Sequence, residues 1–133
     1  MKRKIIKCHC GAHAMKRPAS VVHGDKAQGK YLYICSRYPA CDSYVGTHKK
    51  SLKPLGTLAD KGLRAKRVET HKIFNQLWES GLMQKWQAYK WMAAKLGLNT
   101  EQAHIAMFSE YMCNEVIAEC KRALKNNNIE LVS

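Results

Sequence analysis

The chain has 133 residues, 46% of them hydrophobic, which is enough for one or two small globular domains with a modest core. No apolar run approaches the length of a membrane span, so an integral membrane protein is excluded and we expect no membrane partner. The N-terminus is cationic and lacks the hydrophobic stretch of a signal peptide, which predicts a cytoplasmic protein.

The formal net charge of +13 is large for a chain of 15.2 kDa, and it is unevenly distributed. Residues 1–54 hold twelve Lys and Arg against two acids, whereas the remaining residues hold eleven against eight. Lysine-rich surfaces also keep proteins soluble, but concentration of the charge at one end is typical of a phosphate-binding surface. The charge pattern therefore favours a nucleic-acid partner for the N-terminal part of the chain.

Four of the six cysteines form two close pairs, separated by a loop of 24 residues. Zinc prefers a tetrahedral set of thiolate ligands, and two short pairs supply such a set from two turns. The first pair has the short C-x-C spacing, so a site in which His9 or His13 replaces one of its cysteines is an alternative. The pattern predicts a structural zinc ribbon whose ligands are Cys8, Cys10, Cys35 and Cys41.

The second pair lies in the segment C-S-R-Y-P-A-C, residues 35–41, which resembles half of the zinc ribbons of bacterial type IA DNA topoisomerases. Those ribbons bind single-stranded DNA, so the resemblance implies the same class of ligand here. A longer series of motifs lies at residues 44–46, 53–59, 77–78, 88–89 and 104–105. Their order is similar to that of a phage and bacterial zinc-finger-containing domain family. This second resemblance implies a phage or mobile-element protein acting in the cytoplasm of a bacterial host.

The first 50 residues are predicted to form short antiparallel strands around the metal. The central strand is the clearest, because residues 30–34 alternate, with Tyr31 and Tyr33 on one face and apolar residues on the other. Further strands are predicted at residues 5–6, 21–22 and 44–45, with turns rich in Gly, Pro and Ser between them.

The rest of the chain is predicted to be helical. Pro54 disfavours a helix at Lys53, so residues 51–56 are expected to be a basic linker. Helices are then predicted from an N-cap at Thr57 to about residue 79, over residues 83–96, over residues 99–107, and from Ser109 to about residue 124. Their apolar stripes include Phe74, Leu77, Met92, Cys113 and Cys120, and Trp86 is also assigned to packing.

The predicted fold class is therefore α+β. It consists of a zinc ribbon over residues 1–50, a basic linker over residues 51–56, and a compact bundle of about four helices over residues 57–133.

Candidate contacts to nucleic acid are predicted where cations accompany exposed aromatic rings. Arg37 and Tyr38 lie in the turn between the second pair of ligands, where a cation can hold a phosphate and a ring can stack on an unpaired base. Tyr33 and Tyr44 are assigned to the ribbon's core instead. Further phosphate contacts are predicted at Lys49, Lys50, Lys53, Lys61 and Arg64.

The sequence shows no acid pair, Ser-His-Asp arrangement, phosphate-binding loop or open metal site, so we expect no enzymatic activity. The favoured function is a zinc-binding accessory protein that binds nucleic acid, with single-stranded DNA preferred. One alternative is an adaptor or inhibitor that docks on a host polymerase or defence protein through the helical half. Another is a non-catalytic subunit of a nuclease or transposase.

Overall fold

The computed structural model describes residues 6–131, and the chain divides between Gly62 and Leu63 into two compact units. We call residues 6–62 the ribbon unit and residues 63–131 the helical unit. The first contains a three-stranded antiparallel sheet and the second is built from helices, so the predicted α+β class is confirmed.

The sheet of the ribbon unit has the order β1-β2-β3, with strands β1 (Ala14–Pro18), β2 (Tyr31–Cys35) and β3 (Tyr44–Gly46). The register pairs Ala14 with Cys35 and Ile34 with Tyr44. The alternation predicted for the central strand is present, because Leu32 and Ile34 are buried while Tyr31 is exposed. Both faces of the sheet are packed in part, because Cys35 and Val45, on the same face as Tyr31 and Tyr33, are also buried. Tyr31 lies at the exposed end of that face.

The connection between β1 and β2 differs from the prediction. Residues 21–22 were expected to form a strand but lie in a short helix, α1 (Ser20–His23), which a 3-10 turn (Gly24–Ala27) follows. This connection is fixed by two hydrogen bonds, from the Ala19 amide to the Lys30 carbonyl and from the Lys30 amide to the Ala27 carbonyl. Of the strand predicted at residues 5–6, the first residue lies outside the described part of the chain, and Ile6 is in no strand.

The segment predicted as a linker is part of the ribbon unit instead. Thr47 and Pro54 form a β-bridge, and the Leu55 amide donates to the Gly46 carbonyl at 2.9 Å. Farther along, Ala59 bridges to Tyr44 and is buried. Because this extended segment continues to Ala59, the first long helix begins at Lys61 and not after Thr57.

The helical unit contains three α-helices: α2 (Lys61–Glu79), which begins just before the division, α3 (Lys85–Leu96) and α4 (Glu110–Asn126). Helix α3 ends at Gly97, which has the left-handed conformation, and α4 begins at Ser109, whose hydroxyl accepts from the Met112 amide. In place of the helix predicted over residues 99–107, a turn leads to a 3-10 helix (Ile105–Met107).

The core of the helical unit is centred on Phe74, which is fully buried and packs edge-on against the Tyr89 ring at 5.0 Å between centroids. Arg67 is buried with it and donates to the Phe108 carbonyl through both Nε and Nη2. The assignment of Trp86 to packing is wrong, since its side chain is 59% exposed. The buried stripe of α3 starts only at Ala88, two residues beyond it.

Among residues 6–131, no helix combines the length and the apolar character that a membrane span requires.

Candidate metal centre

The four cysteines predicted as ligands lie together at one end of the sheet, and their Sγ atoms are all within 4.8 Å of one another. Cys8 Sγ is 3.6 Å from Cys41 Sγ, and Cys10 Sγ is 3.5 Å from Cys35 Sγ. A tetrahedron with Zn–S bonds of about 2.3 Å has edges of about 3.8 Å. A disulfide would bring two sulfur atoms to about 2.05 Å. The spacing therefore fits one tetrahedral zinc and not two disulfides.

The first ligand turn closes within very few residues. The Cys8 amide donates to the Ala12 carbonyl at 2.8 Å, and the Gly11 amide donates to the Cys8 carbonyl at 3.0 Å. Gly11 has φ +91°, a conformation that residues with a side chain rarely adopt. A bridge between Lys7 and His13 completes the turn, so a C-x-C pair can present both sulfurs to the same metal.

The second ligand turn is held by its own backbone and by the first. The Tyr38 amide donates to the Cys35 carbonyl at 2.9 Å, and the Cys41 amide donates to the Arg37 carbonyl at 3.2 Å. The Ser36 amide also donates to the His13 carbonyl at 2.9 Å, which joins the two turns. The ligands thus have fixed positions that do not depend on the metal alone.

Hydrogen bonds from Ser43 and Arg37 favour thiolates, whereas burial disfavours the thiolate of Cys35. The hydroxyl and the backbone of Ser43 lower the pKa of Cys41 to about 7. Burial raises the pKa of Cys35 to about 12, although a hydrogen bond from the Arg37 backbone acts in the opposite direction. Zinc binds thiolates and displaces the thiol protons, so the metal compensates the burial of the Cys35 sulfur.

The alternative in which a histidine replaces a cysteine is not supported. Within residues 6–131, the ligand cluster comprises cysteines alone. The ring of His9 is engaged elsewhere, because its Nε2 donates to the Leu58 carbonyl at 2.8 Å. Cys8, Cys10, Cys35 and Cys41 would hold zinc as four thiolates, and the metal would crosslink the two turns.

The apolar cluster around the metal is small. Its buried members are Cys8, Cys35, Val45 and Leu58, so half of them are themselves ligands. A core of this size supplies little folding free energy, and natural domains so small commonly depend on a structural metal.

Residues 4–123 match the family model of a zinc-finger-containing domain. The chain belongs to the zinc-finger-containing domain family. The match includes all four cysteines and most of the helical unit, so the α2–α4 region is part of the family's domain and not an unrelated addition. Family and geometry together identify zinc as the metal of this centre. No curated protein and no solved structure matches the chain. The resemblance to topoisomerase ribbons stays a prediction.

In this member of the zinc-finger-containing domain family, the predicted nucleic-acid contacts are not all in one place. Arg37, exposed, and Tyr38, half-buried against the ribbon core, follow β2 at its Cys35 end. Lys49 and Lys50 are exposed in the turn that follows β3, which lies at the Tyr31 end of β2 because the strands are antiparallel. Four residue steps of about 3.3 Å separate those ends by about 13 Å.

The remaining predicted contacts lie farther along the chain. Lys53 is exposed just before the Pro54 bridge. Lys61 is exposed and Arg64 half-buried in the first turn of α2. Sequence reasoning did not select Tyr31, Lys26 or Lys30 as contacts, although the alternation of β2 had already separated the Tyr31 ring from Leu32 and Ile34.

The other two cysteines lie in the helical unit, as predicted. Cys113 and Cys120 have no exposed surface and pack in the core on α4. Burial raises the pKa of both thiols, that of Cys120 to about 12, so they remain protonated and act as small apolar side chains.

Proposed function

We propose that the ribbon unit is a nucleic-acid-binding module organised by a structural zinc. The supporting observation is its surface charge: all ten Lys and Arg of residues 6–62 are exposed, and only three acids accompany them. In the helical unit the charges are more balanced, and ion pairs such as Lys66–Glu69 at 3.4 Å and Lys95–Glu119 at 3.6 Å neutralise part of them. Exposed, weakly neutralised cations are the groups that displace counterions from a phosphate backbone.

The proposed role is non-catalytic. Four thiolate ligands fill a tetrahedral zinc and leave no position for a water molecule or a substrate, in contrast to catalytic sites with three protein ligands. The exposed cations are mostly lysines, which bind phosphate as point charges and lack the planar fork with which arginine recognises a base. The protein is thus proposed as an accessory factor of phage or mobile-element origin that binds single-stranded DNA with little sequence preference.

A salt titration of binding tests this proposal. Fluorescence anisotropy would measure the affinity for a labelled single strand and a labelled duplex at several salt concentrations. The Lys49→Ala/Lys50→Ala variant should weaken binding to every oligonucleotide and reduce the salt slope by about 1.8 on a duplex and about 1.4 on a single strand. Tyr38→Ala should weaken single strands more than duplexes, by about 1 to 3 kcal/mol, since only unpaired bases can stack on the ring.

A matched control removes the same charge from the helical unit. Lys121 and Lys125 are exposed on α4, and the Lys121→Ala/Lys125→Ala variant should keep the wild-type salt slope. The absence of binding to either oligonucleotide at low salt would refute the nucleic-acid function. Equal slopes for the ribbon variant and the α4 variant would refute its assignment to the ribbon unit.

A second candidate function is a protein-binding adaptor or inhibitor. The observation that favours it is the exposure of large aromatic side chains on the helical unit, where Trp86 is 59% and Tyr111 is 73% exposed. Exposed aromatics are enriched at protein interfaces. If Trp86→Ala or Tyr111→Ala abolished capture of a protein while the lysine variants left oligonucleotide affinity unchanged, the adaptor would replace the nucleic-acid module.

A further inference from the structure

A cleft of about 770 Å³ lies at the Tyr31 end of β2, the end opposite the cysteine cluster. Its floor is apolar, formed by the buried side chains of Ala19, Ala27 and Leu32. Its volume lies within the range of about 300 to 1,000 Å³ that is usual for sites of small ligands. The cleft lies entirely within the ribbon unit.

The rim of the cleft is cationic. Lys26, Lys30 and Lys49 line it together with His23, and the described residues that line it include no acid. These cations come from three separate segments, namely the 3-10 turn, the residue before β2 and the turn after β3. Lys26 and Lys30 are close in the sequence, and the fold adds Lys49 to the same opening from nineteen positions farther along the chain.

Backbone hydrogen bonds and one side chain hold the three segments in place. The Ala19 amide donates to the Lys30 carbonyl at 2.8 Å, and the Lys30 amide donates to the Ala27 carbonyl at 3.2 Å. On the other side, the Thr47 hydroxyl donates to the Tyr31 carbonyl at 2.9 Å. The backbone segments that form the cleft are therefore bonded to one another and to β2.

The turn after β3 has an unusual backbone. Leu52, which lines the cleft, has φ +57°, a left-handed conformation that is rare for a bulky residue. The turn is held by the Leu52 amide, which donates to the His48 carbonyl at 3.1 Å, and by the His48 amide, which donates to the Lys53 carbonyl. Strained residues of this kind cluster at ligand-binding sites. Here the turn places Lys49 and Leu52 on the same opening.

The chemistry of the cleft combines a flat ring with several point charges. Tyr31 is 39% exposed and lines the cleft, so part of its ring is available to a ligand. Any of the bases can stack on such a ring, and lysines can bind the flanking phosphates. A paired base is covered by its neighbours in a duplex and cannot reach the ring.

We propose that this cleft binds single-stranded nucleic acid, with one unpaired base stacked on Tyr31 and its phosphates held by Lys26, Lys30 and Lys49. The proposal rests on the proposed function and adds a second stacking contact to that of Tyr38, at the end of the sheet away from the metal, where Lys49 already lies.

The test measures anisotropy of a labelled thymidine strand of about ten nucleotides, a length within the usual site size. Tyr31→Ala should weaken binding about 5- to 150-fold with the salt slope unchanged, whereas Tyr31→Phe, which keeps the ring, should bind as the wild type does. Lys26→Ala/Lys30→Ala should lower the salt slope by about 1.4, since each phosphate contact on a single strand contributes about 0.7. A zinc content of one per chain verifies that each variant is folded.

The matched control is Lys16→Ala/Arg17→Ala, which removes two exposed charges from β1 outside the cleft and should leave the slope near its wild-type value. An equal loss of slope in the control would overturn the cleft assignment. Competition with thymidine 5′-monophosphate should displace the strand at lower concentration than inorganic phosphate does, and equal potency of the two would overturn the stacking contact.

The binding measurements distinguish an error in the cleft assignment from an error in the proposed function. Wild-type affinity in Tyr31→Ala and in Lys26→Ala/Lys30→Ala, combined with a lowered salt slope in Lys49→Ala/Lys50→Ala, would overturn the cleft and leave the nucleic-acid function in place. Absence of binding by the wild-type protein at low salt would overturn both.

Discussion

Replacing Cys35 with serine tests the metal centre directly, because it removes one sulfur ligand and barely changes the size of the side chain. Cys35 is 1% exposed at the end of β2, with its Sγ 3.5 Å from that of Cys10. A serine hydroxyl stays protonated near neutral pH, so the variant offers zinc three thiolates instead of four.

The size of the expected effect follows from the small apolar core of the ribbon unit. Among the described residues, the apolar cluster at the cysteines buries only Val45 and Leu58 beside the two buried ligands, and the other cluster of this unit buries only Ala19, Ala27, Leu32 and Ile34. Such a core rarely supplies more than about 3 to 5 kcal/mol, whereas a structural zinc supplies about 10 to 16 kcal/mol in small zinc peptides. Loss of the metal should therefore unfold the ribbon unit, and we expect zinc to fall from one per chain to near zero.

Metal analysis after gel filtration measures the zinc content, and amide chemical-shift dispersion reports whether residues 6–62 remain folded. The matched control is Cys113→Ser, the same substitution at a fully buried cysteine of α4, which should destabilise the helical unit but retain one zinc. If both variants retained zinc, or both lost it, the assignment of the four ligands would be refuted.

Two further substitutions test the packing and the first ligand turn. Phe74→Ala should lower the free energy of unfolding of the helical unit by about 3 to 5 kcal/mol, because it empties a fully buried site. Lys72→Ala, on the exposed face of α2, should leave that free energy unchanged. Urea titrations followed by circular dichroism measure both variants, and equal losses would contradict the orientation of α2. Gly11→Ala should weaken zinc affinity about tenfold, because a side chain at positive φ costs about 1 to 2 kcal/mol. Gly62→Ala, at a position without positive φ, should leave zinc affinity unchanged. Equal zinc affinities of the two variants in a chelator competition would show the first ligand turn to be unstrained.

The parts of the fold that the sequence predicted are those with local signals. Strand β2 alternates from Tyr31 to Ile34, and Leu32 and Ile34 are the buried positions of that stretch, as predicted. Helix α3 ends at Gly97, whose left-handed conformation stops it, and α4 starts at Ser109, whose side chain caps it. The spacing of the cysteine pairs is also a local signal, so the metal site could be predicted without knowing which distant residues are in contact.

The parts that the sequence did not predict depend on contacts between distant residues. The segment around Ala59 looked like the start of a helix, but it pairs with Tyr44, fifteen positions earlier. Arg37 and Lys49 are twelve positions apart and were both predicted to contact nucleic acid, yet β3 carries the chain back along β2, so they lie at opposite ends of the sheet. The cationic cleft was missed for the same reason, since pairing across the sheet creates it.

The C-x-C spacing can serve a tetrahedral site because of contacts outside the cysteine motif. With one residue between the ligands, the turn has to close at Gly11, whose positive φ supplies the reversal that a longer spacing would otherwise provide. The intervening His9 turns its ring to the Leu58 carbonyl, and the next residue, Ala59, is bonded to Tyr44 of β3. The first ligand turn is thereby tied to the sheet through residues 58–59. This segment, which the sequence assigned to the helical domain, supports the metal centre, so the ribbon unit has to extend beyond residue 50 to hold its zinc.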